Sequence, residues 1–135
     1  MSFPALTRGE GGLPCLDVSG PGGSSLRVYT HGALITSFVT SAGQELLFVS
    51  TRAVYDGVAP IRGGIPIAFP QFASQGPLPM HGFARTQPWA LLEAGVGHVS
   101  LGLHDTDATR AVWPHPFTLR LDARFTESAL TVELT

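Results

Sequence analysis

The chain has 135 residues, 44% of them hydrophobic and 13% charged, with a net charge of −2. That balance suits one globular domain, or part of one, and excludes a disordered tail. The mild acidity, with no basic tract carrying interleaved aromatics, excludes a nucleic-acid surface, and the absence of lysine excludes a Walker A phosphate loop as well as Schiff-base or pyridoxal chemistry.

No apolar run approaches the ~20 residues of a membrane span. The start, MSFPALTRGEGG, lacks the basic-then-apolar order of a signal peptide. Cys15 is the only cysteine. It cannot form an internal disulfide, so a reducing, cytoplasmic location is expected.

In chain order, Leu16 and Val18 predict a short edge strand, followed by a flexible loop over residues 19–25. From Leu26 the period is two, as a half-buried strand requires. His31-Gly32 breaks the pattern and residues 33–40 read as the next strand. Ser41-Ala42-Gly43 is a turn, and residues 45–49 are expected to return as the second strand of a hairpin. His31 stands at a strand entry and is expected to be a half-buried structural donor.

Residues 60–89, PIRGGIPIAFPQFASQGPLPMHGFARTQPW, form the densest run of unusual residues. Proline and glycine at this density exclude one long helix or one central strand. The apolar part, residues 65–69, can be a short buried strand; the rest is ordered loop of the kind that carries function on a rigid scaffold. Arg62 and Arg85 each lie in a glycine-bearing loop. Arginine offers a planar fork that matches phosphate or carboxylate, and glycine lets a ligand or another backbone come close. The run therefore reads as a pocket wall for an anionic polar small molecule.

Two further strands, residues 89–94 and 98–103, flank a Gly-Val-Gly turn. Phe117 to Phe125 alternates cleanly, and Leu130, Val132 and Leu134 begin another strand. Residues 104–110, HDTDATR, read as a polar turn capped by Asp105 and Asp107, with Arg110 and Trp113 in the same corner. His104, Asp105 and His115 lack the close pairing of metal ligands, so no metal and no cofactor is expected. Cys15 reads as a small buried residue and Glu93 as strand surface. Many short strands separated by glycine and proline predict an all-β antiparallel sandwich in a single domain over residues 1–135. The alternation runs on to Thr135 without a closing turn, so the domain reads as cut short.

The motif PIRGGIPIAFPQF, followed by LPMHGFART and PW, resembles the hexose-6-phosphate mutarotases, the glucose-6-phosphate 1-epimerase branch of the aldose 1-epimerase family. Weaker similarity runs through THGALITSFVTSAGQELLFVS and ATRAVWPHPFTLRL. The resemblance covers about the first half of a complete member. It implies the N-terminal part of a galactose-mutarotase-like β-supersandwich and a hexose phosphate as small-molecule partner. It implies that Arg62 and Arg85 hold the phosphate. His81 matches the first of the family's two sugar-pocket histidines, a ligand-orienting one. Met80 stands where the family usually has glutamine, which replaces a hydrogen-bond donor with a thioether. The family's catalytic acid, a second histidine, and its base, a glutamate, are expected beyond Thr135, so no catalytic residue is assigned within the chain. Two alternatives remain: a non-catalytic carbohydrate or sugar-phosphate binding module, and a cupin-like metal enzyme, disfavoured for want of a His-x-His pair.

Overall fold

Alternating apolar residues build two four-stranded antiparallel sheets, seen in a computed structural model that describes residues 5–135. The first sheet runs in chain order through β1 (Thr7–Arg8), β2 (Pro14–Ser19), β3 (Ser25–Tyr29) and β4 (Leu34–Val39). The second runs through β5 (Ala90–Gly95), β6 (His98–His104), β7 (Thr118–Phe125) and β8 (Leu130–Leu134). Each is a meander, so neighbours in sequence are neighbours in space.

The sheets face each other across one core. Leu16, Val18, Leu26, Val28, Ile35 and Phe38 enter it from the first sheet; Val99, Leu101, Leu103, Leu119, Leu121, Ala123 and Phe125 enter from the second. Phe38 and Phe125 meet edge to face, ring centroids 5.5 Å apart. Ile35 and Phe38 are three residues apart, and a strict period of two puts them on opposite faces. A bulge resolves this. The register passes from Arg27↔Ser37 to Val28↔Ile35, leaving Thr36 without a partner, so both side chains turn inward.

The outer face of the first sheet is also covered. Cys15, Tyr29, Leu34 and Ile61 form a second buried cluster, with Val49 and Tyr55 packed against it. Those last residues belong to the long connection from β4 to β5, which wraps over the sheet before reaching the second one.

Four expectations need correction. Leu16 and Val18 lie on an interior strand, because two-residue β1 covers the β2 edge. Residues 45–49 do not return as a strand: a single bridge joins Val39 to Glu45. The Glu45 carboxylate takes the place of a strand, accepting from the Phe38 amide at 2.9 Å, the Leu47 amide at 3.2 Å and the Ser37 hydroxyl. Residues 65–69 make isolated bridges, Ile35↔Ile65 and Phe69↔Gly82, in place of a ladder. HDTDATR contains a short helix, α1 (Asp107–Val112). Its N-cap is Thr106, which forms a reciprocal capping box with Thr109. Asp105 accepts from the Phe117 amide and pairs with Arg110, as does Asp107.

Candidate functional site

The loops bearing the two arginines are fixed by backbone contacts to β3 and β4. On the Arg62 side, Ile65 N–H donates to the Ile35 carbonyl at 3.0 Å and Gly64 N–H to the Phe48 carbonyl at 2.8 Å. Ser50 N–H donates to the Arg62 carbonyl at 2.9 Å. Gly63 and Gly64 have φ of 142° and 63°. A Cβ on Gly64 would collide with the Ile35 carbonyl, and one on Gly63 would meet the Val49 backbone. Both the positive φ and the close approach of another backbone therefore require glycine here.

On the Arg85 side, Gly32 in the β3–β4 turn donates to the Gln87 carbonyl at 2.8 Å and Trp89 N–H donates to the Thr30 carbonyl at 2.9 Å. The Trp89 indole is buried and donates to the Ala84 carbonyl at 2.9 Å. Arg85 sits in the short turn Ala84–Thr86 between these ties.

The loop joining the two sides is held from within. Gln71 Nε2 donates to the carbonyls of Ala73, Leu78 and Pro79, and its Oε1 accepts from Leu78 N–H at 2.9 Å. Phe69 anchors the loop against the segment between α1 and β7, with its ring 5.4 Å from Trp113 and 5.1 Å from Phe117. Sequence reasoning passed over both residues. The weak signal for Gln71 is a single amide in a run of prolines, where few backbone N–H groups remain to hold a loop together.

These ties bring Arg62, Met80, His81 and Arg85 together as the lining of one cavity of about 290 Å³, with Pro60, Ile61, Gly63 and Pro66 completing it. Arg62 is exposed. Arg85 is half-buried; one terminal nitrogen donates to the Met80 carbonyl at 2.9 Å, while its Nε is buried with no hydrogen-bond partner among the described residues. A buried guanidinium N–H without an acceptor is costly. The Met80 side chain is exposed at the rim, and its backbone is the part that holds Arg85.

His81 adopts φ of 65°, a left-handed conformation that a non-glycine residue rarely takes and that concentrates at functional sites. Its Nδ1 accepts from Ala73 N–H at 2.9 Å. In the neutral ring the proton therefore sits on Nε2, making His81 a donor on that side.

The remaining candidates lie elsewhere. His31 is buried and its Nε2 faces the Ala59 carbonyl at 2.9 Å, a structural bond. His104 Nδ1 faces the Asp105 carbonyl at 2.8 Å, and the His115 ring packs on Trp113. Cys15 is fully buried. Glu93 pairs with Arg120 at 3.4 Å on the strand surface. Among the described residues, no group of three or more His, Cys, Asp or Glu side chains is placed to hold a metal ion. Among the same residues no helix is long and apolar enough to cross a membrane.

Residues 14–135 match the profile of the family described as aldose 1-epimerase. A protein of Cenchrus ciliaris whose provisional name is glucose-6-phosphate 1-epimerase is 34% identical over 88% of this chain and 39% of its own length. A solved structure from Salmonella typhimurium, provisionally described as a mutarotase, superposes with a TM-score of 0.78 at 33% identity, covering 90% of this chain and 43% of that one. A galactose mutarotase related enzyme from Lactobacillus acidophilus shares the fold, with a TM-score of 0.73 at 19% identity over 89% of this chain and 42% of that one. The chain thus spans about two fifths of the length of the relatives it matches.

Proposed function

The chain belongs to the aldose 1-epimerase family, and from that premise we propose that it is the sugar-phosphate-binding part of a hexose-6-phosphate mutarotase of the glucose-6-phosphate 1-epimerase type. The observation that carries the reading is the shared cavity, which two arginines from separate loops line together. A phosphate supplies acceptors for several guanidinium N–H groups at once. His81, donating through Nε2, suits a sugar hydroxyl or ring oxygen.

Mutarotation opens the sugar ring. A base removes the proton of the C1 hydroxyl while an acid protonates the ring oxygen; the C1–C2 bond rotates and the ring closes with the other configuration. A positioned acid and base each contribute roughly 10²–10⁴-fold. No carboxylate lines the cavity. In this reading the chain binds and orients the sugar phosphate, and the family's glutamate base and second histidine come from the remaining length. The same lack of a carboxylate also favours a second reading, a binding module that holds the sugar phosphate without turning it over.

Calorimetry with glucose 6-phosphate and glucose tests the anion site. Arg62→Ala and Arg85→Ala are each expected to weaken glucose 6-phosphate by about 1.5–3 kcal/mol and to leave glucose almost unaffected. Equal affinity of the unaltered protein for the two sugars would sink the phosphate assignment.

A further inference from the structure

Beside the arginine-lined space lies a second lobe of about 300 Å³, lined by Pro66, Ile67, Ala68, Phe72, His81 and Arg85. Pro66, His81 and Arg85 also line the first space, so the two lobes share a wall. Apart from that wall the second lobe is apolar. Phe72 is 69% exposed there, although a phenyl ring left in water forgoes a large burial gain. It is held in place: its ring centroid is 5.2 Å from the His81 imidazole at an interplanar angle of 57°. Its carbonyl accepts from Gln75 N–H at 3.1 Å, and the neighbouring Gln71 fixes the loop that follows. A large aromatic kept exposed on an ordered loop, in a lobe that an arginine also lines, is the informative kind of exception to burial.

We propose that this lobe is a sugar-ring subsite in which the C–H face of a pyranose lies on Phe72 while its phosphate is held by Arg62 and Arg85. The inference rests on the anion-site reading above and adds to it a specificity-determining residue. The axial C–H bonds of a pyranose carry partial positive charge, which complements the negative face of an aromatic ring. The hydroxyls at the ring edge then fall towards His81 Nε2–H. An apolar platform distinguishes a phosphate carried on a ring from phosphate alone. It reads no hydroxyl configuration, so epimeric hexose 6-phosphates lean on Phe72 to a similar degree.

The test is calorimetry on the full chain with glucose 6-phosphate, galactose 6-phosphate and inorganic phosphate, comparing Phe72→Ala, Phe72→Trp and Arg85→Ala. Phe72→Ala is expected to weaken both sugar phosphates roughly two- to tenfold and to leave inorganic phosphate unchanged; Phe72→Trp, which keeps a platform, retains the affinity. Unchanged sugar-phosphate binding in Phe72→Ala, or an equal loss for inorganic phosphate, overturns the subsite. If Arg85→Ala alone lowers binding, the anion site stands and the Phe72 subsite falls. If Phe72→Ala alone lowers it, the anion site falls and the subsite as drawn, with its phosphate on the arginines, falls with it. Absence of binding by the unaltered protein overturns both.

Discussion

A glycine beside an arginine reads alike in sequence whether it admits a ligand or a neighbouring strand. At Gly64 the neighbour is a strand: the residue has φ of 63° and no room for a Cβ against the Ile35 carbonyl. Gly23 offers the contrast, with φ of 82° and nothing within reach of an added Cβ. Gly23→Ala is expected to cost about 1–2 kcal/mol, the strain of the left-handed conformation alone. Gly64→Ala adds a backbone collision and is expected to cost about 3 kcal/mol or more. Urea midpoints for the two variants decide it; equal losses would mean that the Arg62 loop is not wedged against β4. The chemistry at this scale was legible where residue type is enough. Arg62, His81 and Arg85 stood out by their charge, donors and glycine-flanked loops, and the structure brings all three to one cavity. Phe72 did not, because an aromatic in a proline-rich loop looks like any packing residue until its exposure is known. The same holds for the role of Met80, whose contribution through its carbonyl is a property of the backbone and not of the side chain that sequence displays.

At the scale of elements, strand alternation was legible wherever a strand has a backbone partner on both sides or a clean apolar face, as in β6 and β7. It failed where side chains replace ladder bonds, as Glu45 does along β4, and where a bulge breaks the period, as at Thr36. It also failed for α1, since six residues are too few to show a helical period and the helix depends on the Thr106–Thr109 box. The outer face of the second sheet carries a cross-strand polar cluster that alternation predicts only as "polar side". Ser100 on β6 faces Asp122 on β7, and Arg120 bonds both. The Ser100 hydroxyl, and then the Arg120 guanidinium, hold the Asp122 carboxyl below the usual carboxylate range. A value depressed by folding means that the stabilisation is present above the unfolded value, near 3.9, and is lost as pH falls through the lower folded value. Asp122→Asn is therefore expected to be less stable than the unaltered protein by roughly 1–2 kcal/mol at neutral pH, with the gap closing below about pH 4. Denaturant titrations at stepped pH read the gap directly. A constant difference down to strongly acidic pH would show that Asp122 contributes through shape and not through charge.

For the molecule as a whole, the two-sheet sandwich was legible from the spacing of strands and turns, whereas the cavity was not, because it forms only when distant loops converge. Residues 60–66 and 80–85 meet through contacts to a third segment, 30–36, which holds them through its backbone. On the proposed reading the 135-residue chain binds glucose 6-phosphate without turning it over; among the described residues no carboxylate lines the cavity. Polarimetry or exchange NMR on glucose 6-phosphate checks this, and enzyme-level rates from the chain alone would place a complete acid–base pair within it. The β3–β4 hairpin has a further consequence for how such a site changes over generations. Gly32 sets one arginine loop and Ile35 the other, both through main-chain bonds, so the spacing between the two cationic groups is inherited with the hairpin. Residues 72–80 are tied to Gln71 and not to the hairpin, so a change in that loop leaves the spacing untouched. On the proposed reading, a swap there alters which sugar is favoured without loosening the hold on its phosphate.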